Sequence, residues 1–494
     1  MSWDAAKRVS AALGGFGLSF GLCSFGFGVV CRAAFGLRLS PVLVGVKLYF
    51  AILVSGLSAM SVVVGDYALD PGLGRVYRGF GVVVEGGVIV DAGEGDVLVG
   101  RYPRYERLVV KRGVIVPSFV DSHTHLAMVL LRARAGLLGM GEWFSEVVLP
   151  RERLLGPAEV GLGSLVGGVE LALSGASGFV DMYFHEESVL EAGRRLGLRG
   201  VYTYGMVDNG DPAKAESELR ETRRLADLVA SLGDRRVRTA VAPHTPYTCS
   251  PALLSEAATL ARERGLDLHI HLAERADEKR LTAERFGVEV RDWASYLSGL
   301  GVLGGGVSPV CFHCTHLSQD EFSALGRGGG FAVLNPTSNL RLGNGAPPIR
   351  SVLSSGIGFG LGTDGAASND DLSMLSEAKL LALLAGVGSG LDVWGVLRAL
   401  TLPAERFFGV KVGLRMGCTA DLAVFRMGLG SNPAADPALG LVFSPGGFKC
   451  EYLFVGGKPV VEAGSVVGVD VDSLMDDYER AVYSVEGRLA GVGR

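Results

Sequence analysis

Eight short apolar runs recur between residues 113 and 362: 113–120, 177–184, 200–207, 237–243, 266–272, 309–313, 331–335 and 357–362. Amphipathic text of helical length separates most of them, as at 157–173, 213–231, 251–264 and 277–297. A run that is apolar at nearly every position suits a strand covered on both faces, as in a parallel sheet flanked by helices. Eight such units over about 250 residues predict an α/β fold, a (β/α)8 TIM-like barrel, and not an open doubly wound sheet. No glycine-rich dinucleotide fingerprint follows any run. Two separate three-layer domains would need a linker, and this span contains none.

Two β-rich segments, 60–112 and 411–464, flank the barrel span 113–410 and are short for independent domains. They are expected to pair into one small composite β-sandwich domain, with 465–494 a C-terminal helical tail. Residues 1–59 are different text, an apolar, glycine-rich extension. Twenty-three uncharged residues, six of them glycine, lie between Arg8 and Arg32, and a second apolar stretch, 42–64, is broken only by Lys47. Each has the length of ~20 residues that a bilayer span needs, and the first exceeds the ~7–15 apolar residues of a signal peptide. Alternating valine and polar text begins at Met60, which favours a translation start there. A membrane is expected as a partner only if residues 1–59 are translated.

Charge narrows the partner class. Forty-seven Lys and Arg against 52 Asp and Glu leave −5, with no basic excess for a phosphate backbone, so nucleic acid is not expected. Seven scattered cysteines make no disulfide framework and fit a reducing, cytoplasmic setting. The expected partner is a small-molecule substrate. A homo-oligomer is left open.

All eight histidines lie between 123 and 316. His123, His185, His244, His271 and His313 each fall at or just past the carboxyl end of a predicted strand, and Asp364 follows the eighth. That rim is where barrel enzymes collect their catalytic groups. In extended chain, positions i and i+2 face the same side, so His123 and His125 can share a metal. His269-Ile-His271 repeats the spacing and adds Glu274, although periodicity does not say which of the two histidines ligates. In His313-Cys-Thr-His316 the first histidine ends the strand and is the better candidate. Cys311 and Cys314, a lone Cys-x-x-Cys, read as small core residues. Asp364 between glycines could form an Asx turn, but among histidines it supplies an anionic ligand and a proton acceptor.

Imidazole and carboxylate without thiolate suit one divalent metal, zinc first among hydrolytic choices. A metal-bound hydroxide would attack an electrophilic carbon, with Asp364 and His313 placed to take or orient its proton. Glu274 would give a proton to the substrate nitrogen. Such a pairing fits hydrolysis at an aromatic amidine carbon: deamination, or displacement of another leaving group.

The segments Pro117-Ser-Phe-Val-Asp-Ser-His-Thr-His125, Asp181-Met-Tyr-Phe-His-Glu-Glu187, Pro243-His-Thr-Pro-Tyr-Thr-Cys-Ser250, His271-Leu-Ala-Glu274, His313-Cys-Thr-His-Leu317, Asn335-Pro-Thr-Ser-Asn-Leu-Arg-Leu-Gly-Asn-Gly345 and Gly362-Thr-Asp-Gly-Ala-Ala-Ser-Asn369 occur in this order. Together they resemble the amidohydrolase superfamily, in its cytosine-deaminase-like, single-metal branch. Within that branch the text is most similar to the 5-methylthioadenosine/S-adenosylhomocysteine deaminases. The resemblance implies His123, His125, His271 and Asp364 as metal ligands, with Glu274 and His313 acting on substrate and water. It further implies that Glu152 and His244 contact a nucleoside. One departure stands out: the family's substrate-binding arginine falls on Tyr204, and a second falls near Lys214. The implied activity is hydrolytic deamination of an adenine nucleoside such as 5-methylthioadenosine, adenosine or S-adenosylhomocysteine. The alternatives are a guanine-, cytosine- or triazine-type aminohydrolase or chlorohydrolase, and a non-catalytic barrel scaffold.

Overall fold

The computed structural model describes residues 60–492, so the readings made for 1–59 lie outside the described residues. The described chain opens on β1 (Met60–Asp70), β2 (Arg75–Glu85), β3 (Val88–Glu94), a short helix α1 (Gly95–Arg101) and β4 (Glu106–Pro117). β1 and β2 form an antiparallel hairpin around the Asp70-Pro-Gly turn text. The next turn, Gly86-Gly87, has φ of 58° and 84°. Two successive positive φ values match the twist of a hairpin, and glycine adopts them without steric cost. β4 then lies parallel to β1.

Ten strands follow: β5 (Phe119–His125), β6 (Ala176–Tyr183), β7 (Arg199–Met206), β8 (Val237–Thr239), β9 (Ala242–Pro243), β10 (Leu268–Leu272), β11 (Pro309–His313), β12 (Phe331–Leu334), β13 (Gly358–Leu361) and β14 (Asp364–Gly365). All their pairings are parallel. One ladder runs β14-β5-β6-β7 with β8 and β9 both on β7, and the other runs β10-β11-β12-β13. The Val241–Leu268 bridge joins the two. Between the strands lie α2 (Pro157–Leu173), α3 (Glu186–Leu196), α4 (Pro212–Leu232), α5 (Pro251–Arg264), α6 (Glu278–Phe286), α7 (Trp293–Gly299), α8 (Gln319–Arg327) and α9 (Pro336–Arg341), and after β14 comes α10 (Met374–Ala385).

The strands bury both faces. Val180, Val201, Ala242, Val310, Phe312 and Val333 meet in one cluster, joined by Phe407 and Phe408. The alternate set, which includes Phe179 and Tyr202, packs in the larger core with helix residues such as Leu190 and Leu254. α2 comes unusually close to the segment that follows His125. A Cβ at Gly163 or Gly167 would lie 2.8 Å from the carbonyl oxygen of Ala127 or Leu126, a contact that no larger residue tolerates.

Two segments differ from what their sequence suggests. The run 113–120 is not one strand: it finishes β4 at Pro117, and β5 starts at Phe119. Residues 114–120 are buried throughout, so the apolar text hides the change of sheet. Likewise, 277–297 is two helices and not one. Gly287 (φ 66°) ends α6, and the Asp292 carboxylate caps α7 by accepting from Ser295 N at 2.7 Å.

The chain re-enters the first sheet as β15 (Leu422–Met427), whose Leu422 stands opposite Pro117, where the chain left. β16 (Phe448–Val455), β17 (Lys458–Glu462) and β18 (Ser465–Val466) extend it. The two flanking segments, extended by 113–117 and 465–466, therefore form one eight-stranded sheet, ordered β18-β17-β16-β15-β4-β1-β2-β3. The tail is helix α11 (Val471–Val492). Its Tyr478 hydroxyl donates to Val129 O at 2.6 Å, and its Glu486 accepts from Arg151 Nε at 2.7 Å. The tail thus braces the neighbours of His125 and Glu152. No single helix among the described residues is long and apolar enough to cross a membrane.

Candidate active site

The carboxyl ends of the strands converge on one polar cluster. His123 and His125 end β5, His271 lies on β10, His313 ends β11 and Asp364 opens β14. Ligand atoms of His123, His125 and His271 lie within 4.8 Å of one another, as do those of His123, His313 and Asp364. His125 Nε2 is 3.2 Å from Asp364 Oδ1, and His123 Nε2 is 3.5 Å from the same oxygen. Close approach of the first and last strands requires glycine at 362, where a Cβ would lie 2.6 Å from His123 O. His313 and Asp364 hold φ of 68° and 60°, a conformation that costs ~1–3 kcal/mol each and that clusters at functional sites.

Surrounding groups fix which imidazole nitrogen faces inward. His125 Nδ1 faces Met182 O, and His271 Nδ1 faces His244 O at 2.9 Å. A carbonyl only accepts, so Nδ1 carries a hydrogen and Nε2 is the nitrogen turned to the cluster, where a metal would displace any proton on it. His313 Nδ1 pairs with Asn339 Oδ1 at 2.8 Å in the same manner. Asp364 Oδ2 accepts from Ser338 Oγ at 2.5 Å and Ser368 Oγ at 3.1 Å, leaving Oδ1 toward the histidines. His123 is fully buried, and neither ring nitrogen has a hydrogen-bond partner. An imidazole buried in that state is costly. A cation at the cluster would take the lone pair of one of the two nitrogens, so these residues fit a divalent metal.

Charge follows the same geometry. Burial carries His123 down to about 3 and, with the neighbouring histidines, His271 well below the ordinary imidazole value. Both are neutral and ready to ligate. Burial also works against charging His125, but the Asp364 carboxylate outweighs it and lifts the group to about 9. For Asp364, burial would raise the pKa, yet His123 and His125 hold it well below the carboxylate range.

Glu274 is buried two residues beyond β10, and burial raises its pKa. Its Oε1 lies 3.8 Å from His313 Nδ1 and accepts from Asn344 Nδ2 at 3.0 Å. The turn that presents it is clamped by Glu278, whose carboxylate accepts from Ala273 N at 2.9 Å and Glu274 N at 3.0 Å. Ala273 holds φ of 51° within that turn.

The other expected contacts divide. The His244 ring stands 4.6 Å from the His271 ring, and burial lowers its pKa to about 4. Glu152 lies beside Tyr183 and His125, with burial raising its pKa. Tyr204, by contrast, has its hydroxyl against Glu218 of α4, with Glu221 and Glu187 nearby. Burial first, then Glu218, pushes it up to about 12. Lys214 acts on the same Glu218.

The geometry also separates the ambiguous pairs. His269 packs on Phe312 and Phe407, outside the cluster that holds His271. His316 is exposed and donates through Nε2 to Asn344 O. His185 caps α3 with φ of 55°. Cys311 and Cys314 are buried free thiols. Reasoning from sequence missed Glu278, Ser338, Ser368 and Asn339. The last three lie in segments 335–345 and 362–369, whose runs of Ser and Asn beside a candidate ligand were the available signal.

His269 also predicts an acid response. Burial lowers its pKa from 6.5 to about 4. As pH falls through 6.5 the unfolded imidazole takes a proton that the folded one refuses until about 4. Its contribution is therefore complete above that window and falls by about 1.4 kcal/mol per pH unit within it. Denaturant unfolding at pH 7 and pH 5 should show His269→Leu losing about 2 kcal/mol less on acidification than the parent protein. Equal losses would remove His269 from the account.

Residues 114–460 match the profile of the amidohydrolase family. A 5-methylthioadenosine/S-adenosylhomocysteine deaminase of Pyrococcus abyssi is 34% identical over 403 residues, covering 80% of this chain and 93% of the relative. A 5'-deoxyadenosine deaminase of Methanococcus maripaludis is 32% identical over 420 residues, covering 82% and 96%. Among solved structures, an adenosine deaminase from Xanthomonas campestris with bound zinc superposes with a TM-score of 0.79 at 24% identity, covering 86% of this chain and 98% of that one. An atrazine chlorohydrolase of Arthrobacter aurescens complexed with zinc gives 0.76 at 21%, covering 86% and 100%. These likenesses identify the fold as mixed α/β of the TIM-barrel type. With the family profile spanning most of its length, the chain belongs to the amidohydrolase family.

Proposed function

We propose that this protein is a metal-dependent hydrolytic deaminase of an adenine nucleoside, with His123, His125, His271 and Asp364 holding one divalent metal, zinc the first choice. The observation that carries the reading is His123, buried with neither ring nitrogen hydrogen-bonded and with Nε2 3.5 Å from Asp364 Oδ1 inside the histidine–aspartate cluster. The names of the relatives support the reaction, and two neighbours with bound zinc support the metal. When bound, the metal supplies Lewis acidity and an acidified water. The chain's own groups do the rest. Asp364, with Ser338 and Ser368 on its second oxygen, takes the proton of the attacking water while His313 orients that water. Glu274 gives its proton to the ring nitrogen as the C–O bond forms; Asp364 then passes the water's proton to the amino group, the C–N bond breaks to release ammonia, and the proton of the new hydroxyl returns to Glu274 as the carbonyl forms. Glu152 and His244 bind the nucleoside.

The same reading divides the chain at 60–112 and 411–464, 113–410 and 465–494, the middle part a closed barrel and the flanking parts a small β-sandwich. The Val241–Leu268 bridge and the pairing of β14 with β5 support closure. Five buried cysteines without a disulfide among the described residues support a cytoplasmic setting.

Substrate choice follows from Tyr204. S-adenosylhomocysteine carries an amino-acid carboxylate that 5-methylthioadenosine lacks, and arginine grips a carboxylate with two parallel bonds. Tyr204 offers one neutral donor already turned to Glu218, among further carboxylates. Losing a charge-assisted bond costs ~1.5–3 kcal/mol, or roughly 10- to 100-fold. Ammonia release from a panel of aminopurines and aminopyrimidines should therefore show higher kcat/KM for 5-methylthioadenosine or adenosine than for S-adenosylhomocysteine. The reverse order would mean that another basic residue holds the carboxylate, and release only from non-purines would overturn the adenine reading.

A further inference from the structure

We propose that Asn344 is a positioning residue for the proton shuttle: its carboxamide occupies Glu274 Oε1, so that Oε2 delivers the proton, and His316 tethers it there. The inference rests on the deaminase reading above and adds to it. Asn344 Nδ2 donates to Glu274 Oε1 at 3.0 Å and lies 3.4 Å from Met140 Sδ. A carboxylate oxygen and a thioether both accept, so the amide turns its nitrogen toward them. The backbone is fixed on both sides: Asn344 N donates to Asn339 O at 2.8 Å, and Asn344 O accepts from His316 Nε2 at 2.7 Å. Gly343 and Gly345, with φ of 76° and 104°, allow the turn between these anchors.

Asn339, whose carbonyl anchors Asn344, also receives His313 Nδ1 on its side chain. One short segment after β12 thus holds both His313 and Glu274. Glu278 fixes the backbone of Glu274 through its nitrogen, and the Asn344 bond orients the carboxyl on it. With Oε1 accepting from Asn344, the carboxylic proton sits on Oε2. When the Oε2–H bond breaks and the ring N–H bond forms, the electron pair stays on the carboxylate. The Asn344 bond is then to an anion and strengthens. The bond therefore favours the state after proton delivery over the state before it, which is the condition for raising turnover.

The test compares Asn344→Leu and His316→Leu with the parent protein by metal content, KM, kcat and the pH profile of kcat. Removing a donor from a carboxylate raises its pKa. Because protonated Glu274 is the donor, the alkaline limb of kcat should move to higher pH. In Asn344→Leu, kcat should fall by roughly 10- to 100-fold with metal content and KM retained. His316→Leu, an exposed change, should move the same limb in the same direction by less, and it serves alone if Asn344→Leu does not fold. Parental kcat in Asn344→Leu, or an alkaline limb unmoved in both variants, overturns the inference. A parent protein that deaminates no adenine nucleoside overturns the underlying reading instead.

Discussion

Glu274→Gln is expected to keep its metal and its fold while losing turnover by about 10²-fold or more. The expectation follows from what glutamine preserves. Its carbonyl oxygen can accept from Asn344 Nδ2 as Oε1 does, and the backbone clamp from Glu278 is untouched. A neutral amide also follows the direction in which burial already pushes this carboxyl, whose pKa it raises. What glutamine cannot do is release a proton to the ring nitrogen. The loss should therefore fall on kcat with KM nearly unchanged, as for an interaction made only in the transition state. Near-parental kcat would mean that the proton comes from another group.

His271→Ala is expected to lose metal and activity together, with the largest effect of any single change at the site. It removes one nitrogen from the three-histidine group, while His244 O loses the ring donor but keeps the backbone N–H of residue 271 at 3.0 Å. The remaining His123, His125 and Asp364 still face one another, so the fold should survive while affinity falls. Removing only an outer-shell partner of a ligand typically costs 10- to 100-fold, and a ligand should cost more. Metal analysis of the purified variant checks this directly; full occupancy would end the assignment of His271.

Much of this architecture was legible because strands buried on both faces write continuous apolar text, and because chemistry collects where that text stops. Strand ends brought His123, His125, His271, His313 and Asp364 into view together with His185 and His244, but His271 was preferred to His269 only through the family resemblance. The boundary at Ser118 could not. β4 and β5 are both buried there, and hydrophobicity reports burial without saying which sheet provides it. The break in 277–297 was marked by Gly287 and Asp292, but each is a common residue outside caps, so the helical period overrode them. Glu278 and Asn344 escaped for another reason. Their partners are set by three-dimensional proximity, 70 residues apart for Asn344 and Glu274, and no local pattern records such a pair. Tyr204 shows the reverse case. Sequence position put it among the substrate contacts, while the packing of β7 on α4 turns its hydroxyl to Glu218.

Removing and restoring the metal tests most directly whether the buried cluster holds one divalent metal that this chain uses to deaminate an adenine nucleoside. Metal per chain should be measured on the purified protein, alongside ammonia release from 5-methylthioadenosine, before chelation, after chelation and after zinc is restored. The expected result is about one metal per chain, activity that disappears with it and activity that returns in proportion to the metal restored. Deamination undiminished in metal-free protein, or a fully loaded protein that releases no ammonia from any adenine nucleoside, would contradict it.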